Sequence, residues 1–157
     1  MGEGFSERDA ELMQLALNEA ARAAEHGDVP VGAVLASEGH ALAFAGNERE
    51  RRSDPTAHAE MLVLRAAAAG RGGWRLPTTT IYVTLEPCAM CAGAIVLARV
   101  PRVVFATPDP KAGAAGSVFD ILGEPAMNHR PKVQSGLLAE EAAALLRAFF
   151  SERRSPA

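Results

Sequence analysis

The chain has 157 residues, 48% of them apolar, a formal net charge of −3 and two cysteines. That is the size of one domain with one core, and its charge is wrong for a protein that coats nucleic acid through bulk positive charge. No apolar run approaches the ~18 residues a membrane-spanning helix requires. Residues 1–9 lack the basic-then-apolar order of a secretory signal, and two closely spaced cysteines do not make a disulfide framework, so a cytoplasmic, reducing compartment is expected.

Ser6 reads as an N-cap with Asp9 three residues on, opening a helix expected over residues 6–26. Leu12, Leu15, Ala16, Ala20 and Ala23 keep its period, and Gly27 follows as a stop. Residues 31–37, the pair Glu38-Gly39 and residues 40–46 read as a β-hairpin ending at Asn47. Residues 48–53 read as a charged loop. Asp54, Pro55 and Thr56 mark a helix start, and that helix is expected to run through Ala69 and stop at Gly70.

Residues 81–85 form a β-rich run leading to a tight turn and an Ala-rich helix over 89–98, with Pro87 at or just before its first position. A strand is expected over 102–106. Residues 107–116 then form a long loop with two prolines and two glycines, the kind that is usually functional or mobile. One helical turn over 117–122, a short strand over 131–135 and a closing helix over 138–153 complete the chain. Strands alternating with helices predict an α/β fold, a three-layer α/β/α sandwich. The hairpin is antiparallel and the later helical crossovers require parallel pairing, so the sheet is mixed.

The chemistry gathers in two short stretches. Cys88 and Cys91 are expected on neighbouring turns of one face at a helix start, where partial positive charge favours thiolates. His58 adds an imidazole. A structural zinc site wants four protein ligands, whereas a catalytic one keeps the fourth position for water, and no third cysteine exists to close this set. Glu60 is the candidate proton shuttle. His58 and Glu60 stand two apart and so do not share a helix face; both reach one metal only if it lies off the helix end. A redox dithiol or a closed zinc knuckle is the other reading of the cysteines; the redox reading lacks the usual aromatic before the first cysteine and leaves His58-Ala59-Glu60 without a use.

His58-Ala59-Glu60 taken with Pro87-Cys88-Ala89-Met90-Cys91 resembles the zinc-dependent nucleobase and nucleoside deaminases. The stretches 29–34, 46–47, 54–60, 84–94, 113–117 and 127–130 narrow the resemblance to the bacterial tRNA-specific adenosine deaminases acting at the wobble position, within the cytidine/deoxycytidylate deaminase superfamily, over about residues 5–153. The resemblance implies a cytidine-deaminase-like fold with five strands and one Zn2+ per subunit on His58, Cys88 and Cys91. It implies Glu60 as the catalytic acid–base and hydrolytic conversion of adenosine to inosine in a tRNA anticodon loop. It also implies a homodimer with no membrane partner.

The same resemblance makes Asn47, Val29 and Asp109 substrate contacts and brings the pair Phe149-Phe150 towards the anticodon loop. Read from the residues alone, Gly46-Asn47 is also a common turn pair and Val29 is equally core. Of the two phenylalanines one is expected buried and the other exposed, with Phe150 assigned to the substrate. Thr107-Pro108 stands where an Ala-Arg pair is familiar in the family, and Pro110 follows Asp109; Lys111 is the residue that restores charge there. The nearest basic clusters are Arg49, Arg51 and Arg52, and Arg147, Arg153 and Arg154, broken by Glu48, Glu50 and Glu152. His129 belongs to a family motif whose role reads equally as structural. The acidic charge favours a competing substrate, a free guanine- or cytosine-type base or nucleoside. A non-catalytic zinc-stabilised module is a third reading, and it has no need of Glu60.

Overall fold

Ser6 and Asp9 close a capping box at the start of α1 (Glu7–Glu25): Asp9 N–H donates to Ser6 Oγ at 3.0 Å and Ser6 N–H to Asp9 Oδ2 at 2.9 Å. The computed structural model describes residues 4–154. After α1 the chain forms the hairpin β1 (Gly32–Ser37) and β2 (His40–Gly46). Glu38 and Gly39 both have positive φ, 50° and 79°, as a type I′ turn requires. The other strands are β3 (Thr79–Leu85), β4 (Arg102–Thr107) and β5 (Lys132–Ser135). They make one five-stranded sheet in the order β2-β1-β3-β4-β5. β1 pairs antiparallel with β2 and β3, and the β3–β4 and β4–β5 pairs are parallel.

Strand periodicity sorts the side chains into two cores. Val34, Ala36, Tyr82, Val104 and Ala106 pack on one face with Leu12, Met13, Ala16 and Leu17 of α1 and Ala142 of α5 (Ala139–Arg154). Ala33, Leu35, Ile81, Val83, Val103 and Phe105, one residue out of step, pack on the other. There they meet Val63 and Ala67 of α3 (Ala59–Arg71) and Ala92, Ile95 and Val96 of α4 (Ala89–Leu97). This is the expected three-layer sandwich, with central strands apolar on both faces because both are covered. Gly32 and Gly46 are paired across the hairpin, and a Cβ on either would run into the α1 backbone at Ala16 or Glu19. The two bare positions let α1 lie directly on the sheet.

A partly buried ion pair locks α1 to the sheet. The Arg102 guanidinium donates to both Asp9 oxygens at 3.0 Å, and Tyr82 Oη donates to Asp9 Oδ1 at 2.6 Å. Burial pushes the Asp9 carboxyl up, but the bonds from Arg102, Tyr82 and Ser6 outweigh it and hold the group well below the usual carboxylate range.

Four local expectations are corrected. α3 does not stop at Gly70 but runs to Arg71 and closes on Gly72, whose φ of 71° is left-handed. Residues expected as a charged loop contain a one-turn helix, α2 (Arg49–Arg52), closed by Ser53 in the left-handed region. The next helix does not open at Asp54. That carboxylate accepts from Thr56 N–H at 2.8 Å and Thr56 Oγ1 at 2.7 Å, which makes a turn, and α3 starts only after the extended His58. Residues 117–122 form no helical turn: Ala115 and Asp120 make an isolated antiparallel bridge, and the Ser117 N–H is taken by Glu86.

Candidate active site

Two helix N-termini and one loop converge at the C-terminal ends of β3 and β4, where sites in open α/β sheets commonly lie. His58 is the N-cap of α3 and Cys88 the N-cap of α4, both with extended backbone. Cys88 is therefore outside the helix, not one turn below Cys91 on its face as the spacing suggested. Pro87 precedes the cap. The extended cap turns the Cys88 side chain across the helix end, where it meets Cys91 of the first turn and His58 of the neighbouring helix.

His58 Nδ1 lies 3.5 Å from Cys91 Sγ and 3.7 Å from Cys88 Sγ, and the three ligand atoms all lie within 4.8 Å of one another. A tetrahedral zinc with ordinary Zn–N and Zn–S lengths separates a nitrogen and a sulfur ligand by roughly 3.6 Å. The donor chemistry agrees. The Cys91 S–H and the His58 ring draw the Cys88 thiol down to about 3, against its burial. Donation to Cys88, burial and the nearby Glu60 push the Cys91 thiol up. The His58 ring is raised first by its bond to Cys88. The pair thus holds one negative charge on its own, and a second is accommodated when a cation lies between the sulfurs. Among the described residues this cluster holds three ligands, which suits a zinc with one position left open.

Glu60, in the first turn of α3, is 3% exposed. Burial pushes its carboxyl up to about 7, opposed by its own N–H and by His58. Asn47, just past β2, is also buried. Its Oδ1 accepts from Ala59 N–H at 2.9 Å and its Nδ2 donates to the Val29 carbonyl at 3.2 Å. These residues border a cavity of about 450 Å³, within the size range of small-molecule sites. Val29, Asn47, His58, Glu60, Cys88, Asp109, Lys111 and Phe150 are among the residues that line it. Cys91 is fully buried behind Cys88. The structure brings all eight of the sequence-predicted site residues to this one place.

Residues 6–107 match the family model of the cytidine and deoxycytidylate deaminase zinc-binding region. A tRNA-specific adenosine deaminase of Bacillus subtilis is 50% identical over 147 residues, covering 94% of this chain and 91% of the relative. The chain belongs to this deaminase family. A tRNA-specific adenosine deaminase of Agrobacterium fabrum is 47% identical over 91% of the chain and 94% of the relative. A solved structure from work on A-to-I editing by tRNA:A34 deaminases superposes with a TM-score of 0.84 at 46% identity, covering 87% of this chain and 99% of that one. The guanine deaminase of Bacillus subtilis shares the fold less closely, with a TM-score of 0.62 at 30% identity over 93% of this chain and 94% of that one. These likenesses favour the adenosine branch over the free-base alternative.

Arg49, one of the basic residues named above, and Glu86, to which the sequence reading assigned no role, also line the deaminase's pocket. Arg49 reaches the rim because the buried Asp28 holds its Nε at 3.2 Å while also accepting from Val29 N–H and Glu50 N–H. Nothing in the spacing of Asp28 and Arg49 signals this. Glu86 lies within a family stretch, and a lone carboxylate between an apolar strand and Pro-Cys was the available signal. The remaining basic candidates are mostly engaged. Arg52 pairs with Glu48, Arg147 with Glu140, Arg51 rests 3.1 Å from His26 Nε2, and Arg153 donates to the Gly27 carbonyl. The Arg154 side chain lies outside the described residues. His129 Nε2 sits 2.7 Å from the Val100 carbonyl, a structural tie.

Proposed function

We propose that this chain is a zinc-dependent hydrolase, one deaminase domain over residues 1–157, that converts adenosine to inosine at the wobble position of a tRNA anticodon. The observation that carries the reading is the convergence of a three-donor cluster and a buried carboxyl on one cavity, in a chain half identical to a tRNA-specific adenosine deaminase. A base splayed out of a single-stranded loop is the form in which RNA is most readily read and reaches such a cavity.

His58, Cys88 and Cys91 hold the zinc, which supplies Lewis acidity that makes water a nucleophile near neutral pH. Glu60 takes the proton from the attacking water and passes it to the ring nitrogen beside C6. It then takes the remaining proton from the new C6 hydroxyl and delivers it to the departing amine, so that ammonia leaves and a C6 carbonyl remains. Burial favours the protonated form of this carboxyl, which suits it to accept a proton from water. Asn47 fixes the start of α3, and with it His58 and Glu60, against the Val29 wall. Val29 and Phe150 offer apolar surface to the purine.

The reading includes a cytoplasmic homodimer. No helix among the described residues is long and apolar enough to cross a membrane, and Leu97, Val118 and Phe119 are exposed apolar surface of the kind an interface covers. The deciding assay incubates the zinc-loaded protein with bacterial tRNA and, separately, with free guanine, cytosine, adenosine and cytidine. Inosine in tRNA alone is expected; ammonia from a free base without inosine in tRNA overturns the substrate assignment and keeps the zinc chemistry.

A further inference from the structure

Glu86 is 2% exposed, and its carboxylate accepts four hydrogen bonds, all from one irregular segment. Oε1 accepts from Asp109 N–H at 3.0 Å and from Ser117 Oγ. Oε2 accepts from Ala115 N–H at 2.9 Å and from Ser117 N–H at 3.1 Å. The backbone completes the wrap: Glu86 N–H donates to the Thr107 carbonyl at 2.9 Å and Ala114 N–H to the Pro87 carbonyl at 2.8 Å. Gly113 lies so close that a Cβ there would collide with the Glu86 carboxyl group.

Burying a carboxylate is costly unless its acceptor positions are filled, and apolar packing would fill the same space at less cost. Here the return is specific. The segment lacks regular structure, so three of its N–H groups have no ladder or helix to bond, and Glu86 takes all three. The same segment carries Pro108, Asp109, Lys111 and Ala112 to the cavity wall. Asp109 Oδ1 is bonded to Lys111 N–H and Ala112 N–H, so the position of the Asp109 backbone sets that whole rim. Pro108 and Pro110 fix φ on either side of Asp109, which makes the rim stiff and its anchor decisive.

We propose that Glu86 is a positioning residue: it holds the loop 108–117 as a preset wall against the bound nucleotide, two residues before the ligand Cys88. The inference rests on the adenosine-deaminase reading for its substrate assay, and its hold on the loop is testable without that assay. Glu86→Gln keeps the size but turns an NH2 towards two of the four donors, in either orientation of the amide. Metal content, melting, KM and kcat are measured on an anticodon stem-loop, with amide hydrogen exchange of residues 108–117 on the same zinc-loaded protein.

Retained zinc, a KM raised about tenfold or more with a smaller change in kcat, and faster exchange confined to the loop are expected, since loss of charge-assisted bonds loosens a wall that does no bond-making. KM within about twofold of the parent, or exchange unchanged in the loop, overturns the proposal. So does zinc loss with exchange spreading into α4, which would make Glu86 a support of the metal turn. Ser117→Ala removes one loop-side donor without altering the zinc turn's own residues and decides the matter if Glu86→Gln fails to fold. A several-fold rise in KM supports the assignment, and parent-like KM and exchange sink it. If the parent makes no inosine, the functional reading fails while the exchange comparison still decides whether Glu86 holds the loop.

Discussion

Asn47 and Ala59 are joined by a 2.9 Å hydrogen bond from the Ala59 N–H to the Asn47 side-chain oxygen, which places the end of β2 against the first residue of α3. Ala59 lies between the zinc ligand His58 and Glu60, so this bond orients the two groups that the spacing alone left on different helix faces. The other end of the same amide donates to Val29. Asn47→Asp keeps the acceptor for Ala59 but sets a carboxylate oxygen against the Val29 carbonyl. Removing both bonds with Asn47→Ala leaves the buried Ala59 N–H without a partner, an expected loss of about 1–3 kcal/mol in urea unfolding. Both variants are expected to lose activity beyond what their stability explains. Parent-like turnover by Asn47→Ala would remove the residue from the site.

Glu60 is separable from the metal. Glu60→Gln keeps the volume and removes the group that accepts a proton. It is expected to bind zinc at one per chain, melt near the parent and lose about 10²–10⁴ in kcat. Full activity in a zinc-loaded Glu60→Gln protein would end the proton-shuttle role. It would also revive the reading of the cluster as a structural metal module.

Metal removal makes the complementary test. The two sulfurs and one nitrogen stand at zinc-ligand separations, at the edge of a sandwich whose cores extend over both faces of the sheet. Chelation is expected to abolish deamination, lower the melting temperature through loss of a ligand of the native state, and leave the far-ultraviolet spectrum intact. Added Zn2+ is expected to restore activity. Cys91→Ser is expected to weaken zinc binding in the same titration, and undiminished affinity would exclude Cys91 as a ligand.

The pH dependence of stability is expected to follow Asp9. Its folded carboxyl sits well below its unfolded value, so the stability it contributes is present above about pH 4 and is lost as pH falls below that. Asp9→Asn breaks the pair with Arg102 and leaves a guanidinium that is 23% exposed without its partner. A cost of about 2–4 kcal/mol near neutral pH is expected. The difference from the parent should shrink between pH 5 and pH 2, read by urea midpoints at each pH. A difference that stays constant across that range would show that Asp9 acts through packing rather than charge.

What the sequence disclosed follows from where the determining forces lie. Residues 31–37 and 81–85 announced strands because both faces are buried and β-branched or apolar residues run without interruption. Ser6 announced α1 because a capping box is local chemistry. The zinc cluster was legible because cysteine has few other uses at that spacing in such a chain. Asp54 misled because an Asx turn and an N-cap use the same side chain, and only the next few residues decide between them. The α2 turn was hidden by charge, since Arg49–Arg52 buries nothing. Asp28–Arg49 and the Glu86 anchor join residues 21 to 31 positions apart through loops without periodicity, and a periodic reading has nothing there to detect.

The adjacent phenylalanines of α5 differ in burial and in what they face. Phe149 is 8% exposed and lies under the Arg153 guanidinium, 4.3 Å from the ring centroid, whereas Phe150 is 42% exposed and faces the cavity one turn beyond Leu146. Arg153 in turn bonds the Gly27 carbonyl, which pins the end of α5 near the start of the Val29 wall. Phe149→Ala is expected to cost about 3 kcal/mol or more in unfolding with KM little changed in the molecules that remain folded. Phe150→Ala is expected to change stability by well under 1 kcal/mol and to raise KM for an anticodon stem-loop several-fold, as loss of a stacking surface does. The contrast is the diagnostic. If Phe150→Ala unfolds the protein as readily as Phe149→Ala and leaves KM alone, the pair is a single packing unit and α5 contributes no surface to the substrate.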